Sequence, residues 1–129
     1  QDAVVQRWTF DSPVSADLVH LVGDMIFGTS FDVMAAFLPD MDALDISEDV
    51  TALIGIETLV INGMGDLITP PSHSEEIVRR IPGAELVVIS GAAHGFMVEH
   101  AGTFNRVLLD FLGRADRAAC AELPAAQAS

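Results

Sequence analysis

The sequence predicts an α/β fold in which parallel strands are joined by a crossover helix. Two short apolar runs, "TLVI" and "ELVVI", have the length and the β-branched content of buried strands. The segments between and after them carry apolar residues at helical spacing. Strand and helix therefore alternate, which is typical of a parallel sheet. Because two strands cannot bury both faces of such a sheet, this one requires neighbouring strands.

The first 54 residues carry helix signals and are predicted to form a helical segment. Residues 1–11 show no clear period, and "VVQRWTF" is compatible with a short extended stretch. Ser12 and Pro13 form a cap and first-turn pair, which predicts a helix over about 13–27. Gly28 ends that helix.

Two shorter helices complete this segment. Thr29 or Ser30 caps the first, and Pro39 is predicted to end it because proline cannot continue a helical hydrogen-bond ladder. Ser47 caps the second, a brief helix that reaches about Leu53.

Residues 55–114 are predicted to form the α/β unit. "ETLVIN" and 84–90 are its strands, and a helix opened by the proline pair 70–71 lies between them. The last helix carries a stripe of apolar residues at i, i+3, i+4, i+7 and i+8, and Gly113 is predicted to end it. The stripe comprises Phe104, Val107, Leu108, Phe111 and Leu112. Residues 115–129 are predicted to be a disordered tail.

The composition excludes several classes of protein. The 129 residues contain 19 acids, 6 arginines and no lysine, and the net charge of −13 argues against binding to nucleic acid. No apolar run approaches the ~20 residues of a membrane helix, and no signal peptide is visible, so we expect no membrane span and a cytoplasmic location. Cys120 is the single cysteine, and no metal-binding spacing or cofactor motif occurs. Since the chain starts at Gln1, we expect it to be part of a longer polypeptide.

An acid and a histidine follow the two predicted strands. Asp66 comes after the first strand and His94 after the second. Because catalytic groups of parallel sheets gather beyond the carboxyl ends of the strands, we expect these side chains to lie at one edge and to touch. An acid against an imidazole fixes its tautomer and leaves the other nitrogen as a general base. Taken singly, each residue is also compatible with a turn or loop role.

The stretch 44–114 resembles the C-terminal part of the α/β-hydrolase fold. The family's G-x-x-D-x-x-x-P and G-x-x-H patterns both occur, in the order strand, acid, helix, strand, histidine, helix. The matching positions are Gly63, Asp66, Pro70, Gly91 and His94. The resemblance implies that Asp66 orients His94. It also implies that residues 1–54 are a cap, or lid, that lines the substrate cavity, where His20, Phe27, Phe31 and Met34 are candidate substrate contacts.

The expected nucleophile is absent from this sequence. None of the eight serines lies in the G-x-S-x-G elbow of the family, and Ser30 in "GTSFD" is best explained as a helix cap. We therefore expect a partner, the N-terminal half of the hydrolase, in the same parent chain or a companion chain. The predicted reaction is hydrolysis of an ester or a related bond in a small apolar substrate, and the chain alone should be nearly inactive.

Two alternatives remain open. The chain could be a non-catalytic interaction module, since a truncated sheet offers an unpaired edge for a partner or for a homo-oligomer. It could also belong to an epoxide hydrolase, a dehalogenase, a C–C hydrolase or a haloperoxidase, because the same acid and histidine serve all of these.

Overall fold

The computed structural model describes residues 1–45 and 49–122. Six helices, two strands and a 3₁₀ helix lie in this part of the chain. In order they are α1 (Asp2–Thr9), α2 (Ala16–Phe27), α3 (Phe31–Ala43), the 3₁₀ helix (Asp49–Leu53), β1 (Leu59–Gly63), α4 (Pro71–Arg80), β2 (Glu85–Ile89), α5 (Phe96–Glu99) and α6 (Ala101–Glu122).

The two strands form the predicted parallel sheet. Leu59 lies opposite Glu85 and Gly63 opposite Ile89, and α4 is the crossover helix that packs on both strands. This confirms the predicted strand–helix–strand order, with strand ends within two residues of the expected positions. Residues 59–61 of β1 are only half-buried, however, because the described sheet has two strands and leaves part of its faces uncovered.

The N-terminal residues are helical, and the prediction of an extended stretch was wrong. Val5 and Thr9 of α1 lie one turn apart and are both buried. Val5 packs with Phe10 and with Val19 of α2 in a small apolar cluster. Tertiary contact therefore stabilises a helix whose periodicity was too weak to be recognised.

The predicted start of α2 was also wrong. Its cap is Ser15, whose hydroxyl accepts a hydrogen bond of 3.3 Å from the Leu18 N–H, and the helix begins at Ala16. Ser12 is engaged elsewhere, since it donates to Glu99. Glu99, which is distant in the sequence, binds the Ser12 side chain that the local pattern assigned to the helix cap.

Pro39 does not end α3, which continues to Ala43. Proline removes one backbone donor, and the helix continues past that missing hydrogen bond. The start was predicted correctly, because Ser30 caps α3 by accepting from the Val33 N–H. The cap proposed at Ser47 falls in 46–48, outside the described residues.

Gly113 does not end α6, which extends to Glu122. An interior glycine costs a helix about 1 kcal/mol, and the alanine-rich sequence after it favours continuation. Arg114 also holds the helix in place, since its guanidinium donates to Glu85 of β2 at 2.5 Å. The predicted disorder of the tail is thus wrong for 115–122, and the rest of the tail lies outside the described residues.

None of the helices described here has, by itself, both the length and the apolar composition of a membrane span. The segments Ala16–Phe27 and Phe31–Met41, bent by 81° at the break between them, reach that length and composition only together.

Candidate active site

Asp66 lies in the turn that follows β1, at the carboxyl edge of the sheet. The turn is bonded to the end of β2 and to the segment after it, because the N–H groups of Met64 and Gly65 donate to the carbonyls of Ile89 and Ala92 at 2.9 and 2.8 Å. Gly63 permits this approach. A Cβ there would overlap the Ala93 carbonyl oxygen and would lie 2.6 Å from that of Ala92.

Hydrogen bonds fix the carboxylate of Asp66 from several sides. The N–H groups of Ile68 and Thr69 donate to Oδ1 at 2.8 and 2.9 Å, and the Thr69 hydroxyl donates to Oδ2 at 2.9 Å. Asp66 is only 3% exposed. Two local amides therefore satisfy one oxygen, and the other oxygen remains directed toward His94.

Burial by itself raises the pKa of Asp66. Hydrogen bonds from the Thr69 N–H, His94, the Thr69 hydroxyl and the Ile68 N–H outweigh this effect, so that the pKa lies below its ordinary value of 3.8. The group is consequently a carboxylate at neutral pH, which is the form that can orient and stabilise an imidazole.

His94 lies in the loop after β2, and its Nδ1 is 2.9 Å from Oδ2 of Asp66. The predicted contact is present. Because the carboxylate can only accept, Nδ1 carries the proton and Nε2 is the free nitrogen of the neutral ring. The side chain of His94 is 42% exposed against 1% for Asp66, so the imidazole is open on one side while its partner is sealed.

The residues that hold the acid were not predicted from the sequence. Besides its bond to Asp66, the Thr69 hydroxyl lies 3.3 Å from Nδ1 of His94. Asn62, at the end of β1, donates through Nδ2 to the Thr69 carbonyl at 2.9 Å and to the Ser74 hydroxyl at 2.8 Å. A threonine three residues after an aspartate is a common local turn pattern and was the available signal for Thr69. Asn62 had no such signal, because a strand residue contacts the turn only in three dimensions.

Glu99, five residues after the histidine, also had no predicted role. Its Oε2 accepts from the Ala93 N–H at 3.0 Å, and its Oε1 accepts from the hydroxyl of Ser12 at 2.6 Å and from the Ser12 N–H. Burial raises the pKa of Glu99. Hydrogen bonds from the Ser12 hydroxyl and from the N–H groups of Ser12, Ala93 and Asp11 outweigh this effect and hold the pKa below 4.5.

The four candidate substrate contacts lie on α2 and α3. His20 is 3.4 Å from Asp2 of α1, and Phe27, Phe31 and Met34 are exposed. Of the four, Met34 lines an apolar groove of about 270 Å³ along α3. The structure thus brings Asp66 and His94 together and leaves the candidate substrate contacts as exposed side chains on two other helices.

Neither a metal centre nor a thiol site is apparent in residues 1–45 and 49–122. No group of three or more histidine, cysteine, aspartate or glutamate side chains in these residues could hold a metal ion. Cys120 is free and exposed on α6. The arrangement that can perform chemistry is the pair of a buried carboxylate and an open imidazole.

Comparison with known proteins gives a consistent result. A family of α/β-hydrolases described as "TAP-like protein" matches residues 39–127. The chain is 34% identical over 102 residues to polyketide synthase ThaQ of Burkholderia thailandensis, an alignment that covers 68% of this chain and 5% of that protein. It is 33% identical over 95 residues to pimeloyl-(acyl-carrier protein) methyl ester esterase of Neisseria meningitidis serogroup B, covering 62% of this chain and 37% of the esterase.

A shorter alignment and two solved structures extend this comparison. The chain is 41% identical over 68 residues to 2-hydroxymuconate semialdehyde hydrolase of Pseudomonas putida, covering 53% of this chain and 24% of that enzyme. The enol-lactonase from Burkholderia xenovorans superposes with a TM-score of 0.70 at 28% identity, covering 87% of this chain and 43% of its own. The bromoperoxidase from Bacillus anthracis superposes with a TM-score of 0.72 at 26% identity, covering 87% and 42%. The chain spans less than half the length of each of these proteins.

Proposed function

Since this chain belongs to the α/β-hydrolase family described as "TAP-like protein", we propose that it supplies the acid and the histidine of a hydrolase active site. The observation that carries the proposal is the 2.9 Å contact between Oδ2 of the sealed Asp66 and Nδ1 of the open His94. Both residues lie beyond the carboxyl ends of paired parallel strands, where α/β proteins place their chemistry.

The chemistry assigned to this pair is general acid–base catalysis. Nε2 of His94 takes the proton of a nucleophilic hydroxyl as that oxygen attacks the substrate carbonyl, and it then delivers the proton to the leaving group. A water molecule releases the acyl group by the same route in a second half-reaction. Asp66 remains ionised throughout and stabilises the imidazolium that forms in each half.

The nucleophile and the oxyanion hole of this proposal lie outside the 129 residues. None of the serines in the sequence stands in a G-x-S-x-G elbow. Ser30, the nearest match, instead accepts a hydrogen bond from the Val33 N–H at the start of α3. The length of the relatives supports this division, because the aligned parts of the chain cover only 37% of the esterase and 43% of the enol-lactonase.

The proposed substrate is a small, apolar ester or a related acyl compound. By their names, the esterase and the enol-lactonase act on an ester and a lactone. The apolar side chains of Phe27, Phe31 and Met34 are exposed on α2 and α3 and offer a wall for such a substrate if residues 1–54 act as the cap. A second candidate is cleavage of a carbon–carbon bond, which the 41% identity to 2-hydroxymuconate semialdehyde hydrolase favours.

The test uses the full-length protein that carries this chain. We expect it to hydrolyse p-nitrophenyl acetate or butyrate and to react with a fluorophosphonate probe. Asp66→Asn and His94→Ala should each lower kcat by about 10³–10⁴-fold, because the imidazole loses either its orientation or its base. Asp49→Asn, which alters an exposed carboxylate on the 3₁₀ helix, is the control.

The outcomes separate the candidates. Turnover of 2-hydroxymuconate semialdehyde in preference to the esters would establish C–C hydrolysis. A full-length protein that neither reacts with the probe nor turns over any of these substrates would be a non-catalytic module. Ordinary turnover by the 129-residue chain alone would contradict the placement of the nucleophile elsewhere.

A further inference from the structure

The loop that carries His94 is held by a distant part of the chain. Residues 9–12, the end of α1 and the first part of its connection to α2, lie against this loop and are called the strap. The strap is connected to both sequence neighbours of His94. It bonds directly to Gly95, and it is linked to Ala93 through Glu99.

The connection to Gly95 is direct. The Gly95 N–H donates to the Thr9 carbonyl at 2.6 Å. The Phe10 ring packs so closely that a Cβ at position 95 would lie 2.5 Å from Cε1 and 2.9 Å from Cδ1 of that ring. Phe10 is itself 3% exposed and belongs to the apolar cluster of α1 and α2, so it cannot easily move away.

The connection to Ala93 passes through Glu99. One carboxylate oxygen accepts from the Ala93 N–H, and the other accepts two hydrogen bonds from Ser12. Bonds from a backbone N–H to an ionised carboxylate are about twice as strong as neutral ones. Glu99 therefore links the His94 loop to Ser12, which lies 87 positions before Glu99 in the sequence.

We propose that Glu99 and the strap are positioning elements of the active site, which set the direction of the His94 imidazole according to the placement of α1 and α2. The inference rests on the proposed catalytic role of His94. Glu99 contacts neither His94 nor a reacting atom in this arrangement. It acts through Ala93, while Asp66 fixes the ring itself.

The physical reason is geometric. Asp66 holds Nδ1 but leaves the ring free to pivot about that contact, so the direction of Nε2 depends on the backbone at 93–95. A displacement of about 1 Å at a catalytic group can cost about 100-fold in rate. A loop pinned on both sides of the histidine restricts that displacement.

The experiment compares variants of the full-length protein by turnover and by NMR of the histidine nitrogens. Glu99→Gln replaces one carboxylate oxygen, which accepts a hydrogen bond, with an NH₂ group. That group is a donor and would face the donor of Ser12 or Ala93. We expect kcat for p-nitrophenyl acetate to fall by about 10- to 100-fold with KM within about twofold. The Nδ1 and Nε2 signals of His94 at pH 7 should shift. Glu75→Gln, which alters an exposed carboxylate on α4, should change none of these.

Ser12→Ala tests the same connection from its other end and leaves the loop sequence intact. It removes one of the two Ser12 donors, and we expect a smaller loss of about 3- to 10-fold in kcat. The variant that combines Ser12→Ala with Glu99→Gln should have the same kcat as Glu99→Gln alone, because both changes act through the Glu99 carboxylate. Losses that multiply in the double variant would overturn the proposal, as would unchanged His94 signals in a folded Glu99→Gln protein.

The two readouts keep this inference separate from the function on which it rests. If the full-length protein has no turnover, the proposed function fails, and the His94 signals still report whether Glu99 sets the ring. If Glu99→Gln does not fold, the kcat and the His94 nitrogen signals of Ser12→Ala decide whether the proposal holds.

Discussion

At the scale of single residues, the decisive feature is the contrast between two neighbouring side chains. Asp66 is sealed and its carboxylate accepts hydrogen bonds from Ile68, Thr69 and His94, whereas the His94 ring is open on one side. A buried charge is tolerated only when such donors surround it. The hydrogen bonds that offset the free-energy cost of burying this charge also keep Asp66 ionised. Structure and proposed chemistry therefore depend on one set of hydrogen bonds.

A prediction about pH follows from this environment. Asp66 binds its proton less readily in the folded protein than in the unfolded chain. The stabilisation is therefore fully present above the ordinary pKa of 3.8 and is lost as the pH falls through the lowered folded value. We expect Asp66→Asn to make the acid-side fall in the free energy of unfolding shallower below about pH 4, as measured by urea unfolding at successive pH values. An unchanged slope relative to the wild type would refute this, and Asp49→Asn is the matched control.

At the scale of elements, glycine permits the close contact between the two loops at the sheet edge. The end of β1 touches the carbonyl groups of Ala92 and Ala93, and Gly63 has no side chain to prevent this. The acid and the histidine can meet because these two backbones approach each other. The contact depends on the absence of a Cβ as much as on the presence of the charged groups.

Gly63→Ala should therefore destabilise the protein strongly. The added methyl group would collide with backbone atoms, which cannot rotate away as a side chain could, and we expect a loss of at least about 3 kcal/mol. Gly102→Ala is the matched control, since a Cβ at that position in α6 meets nothing within 4 Å. It should be neutral or should stabilise by up to about 1 kcal/mol. Urea unfolding of both variants measures the difference, and equal effects would contradict a steric role for Gly63 at this contact.

At the scale of the whole molecule, two properties stand out. Large apolar side chains are exposed along α2 and α3, with Phe31 at 82% and Met25 at 71%. The second property is the net charge of −13, which is carried by a chain of only 129 residues. Repulsion among like charges opposes compaction, so the fold depends on how strongly the solvent screens them.

We expect salt to stabilise the chain. Raising NaCl from 10 to 200 mM shortens the distance over which the acids repel one another. The midpoint of thermal unfolding should rise by about 4 °C, equivalent to about 1 kcal/mol for a chain of this size. KCl should act equally, because screening does not depend on the identity of the cation. A midpoint that falls with salt would show that attractive ion pairs, such as that of Arg114 with Glu85, outweigh the repulsion.

The sequence alone determined the strand–helix–strand unit and the contact of Asp66 with His94, because both follow from local patterns. Apolar runs mark strands, glycine and proline mark turns, and parallel strands bring the residues after their carboxyl ends to one edge. Only the tertiary structure decided the rest. The helix at Asp2–Thr9 forms because Val5 packs against α2, Ser12 leaves its expected cap to bind Glu99, and Asn62 of β1 bonds to Ser74 of α4. These choices depend on partners that are distant in the chain, and no local pattern contains them.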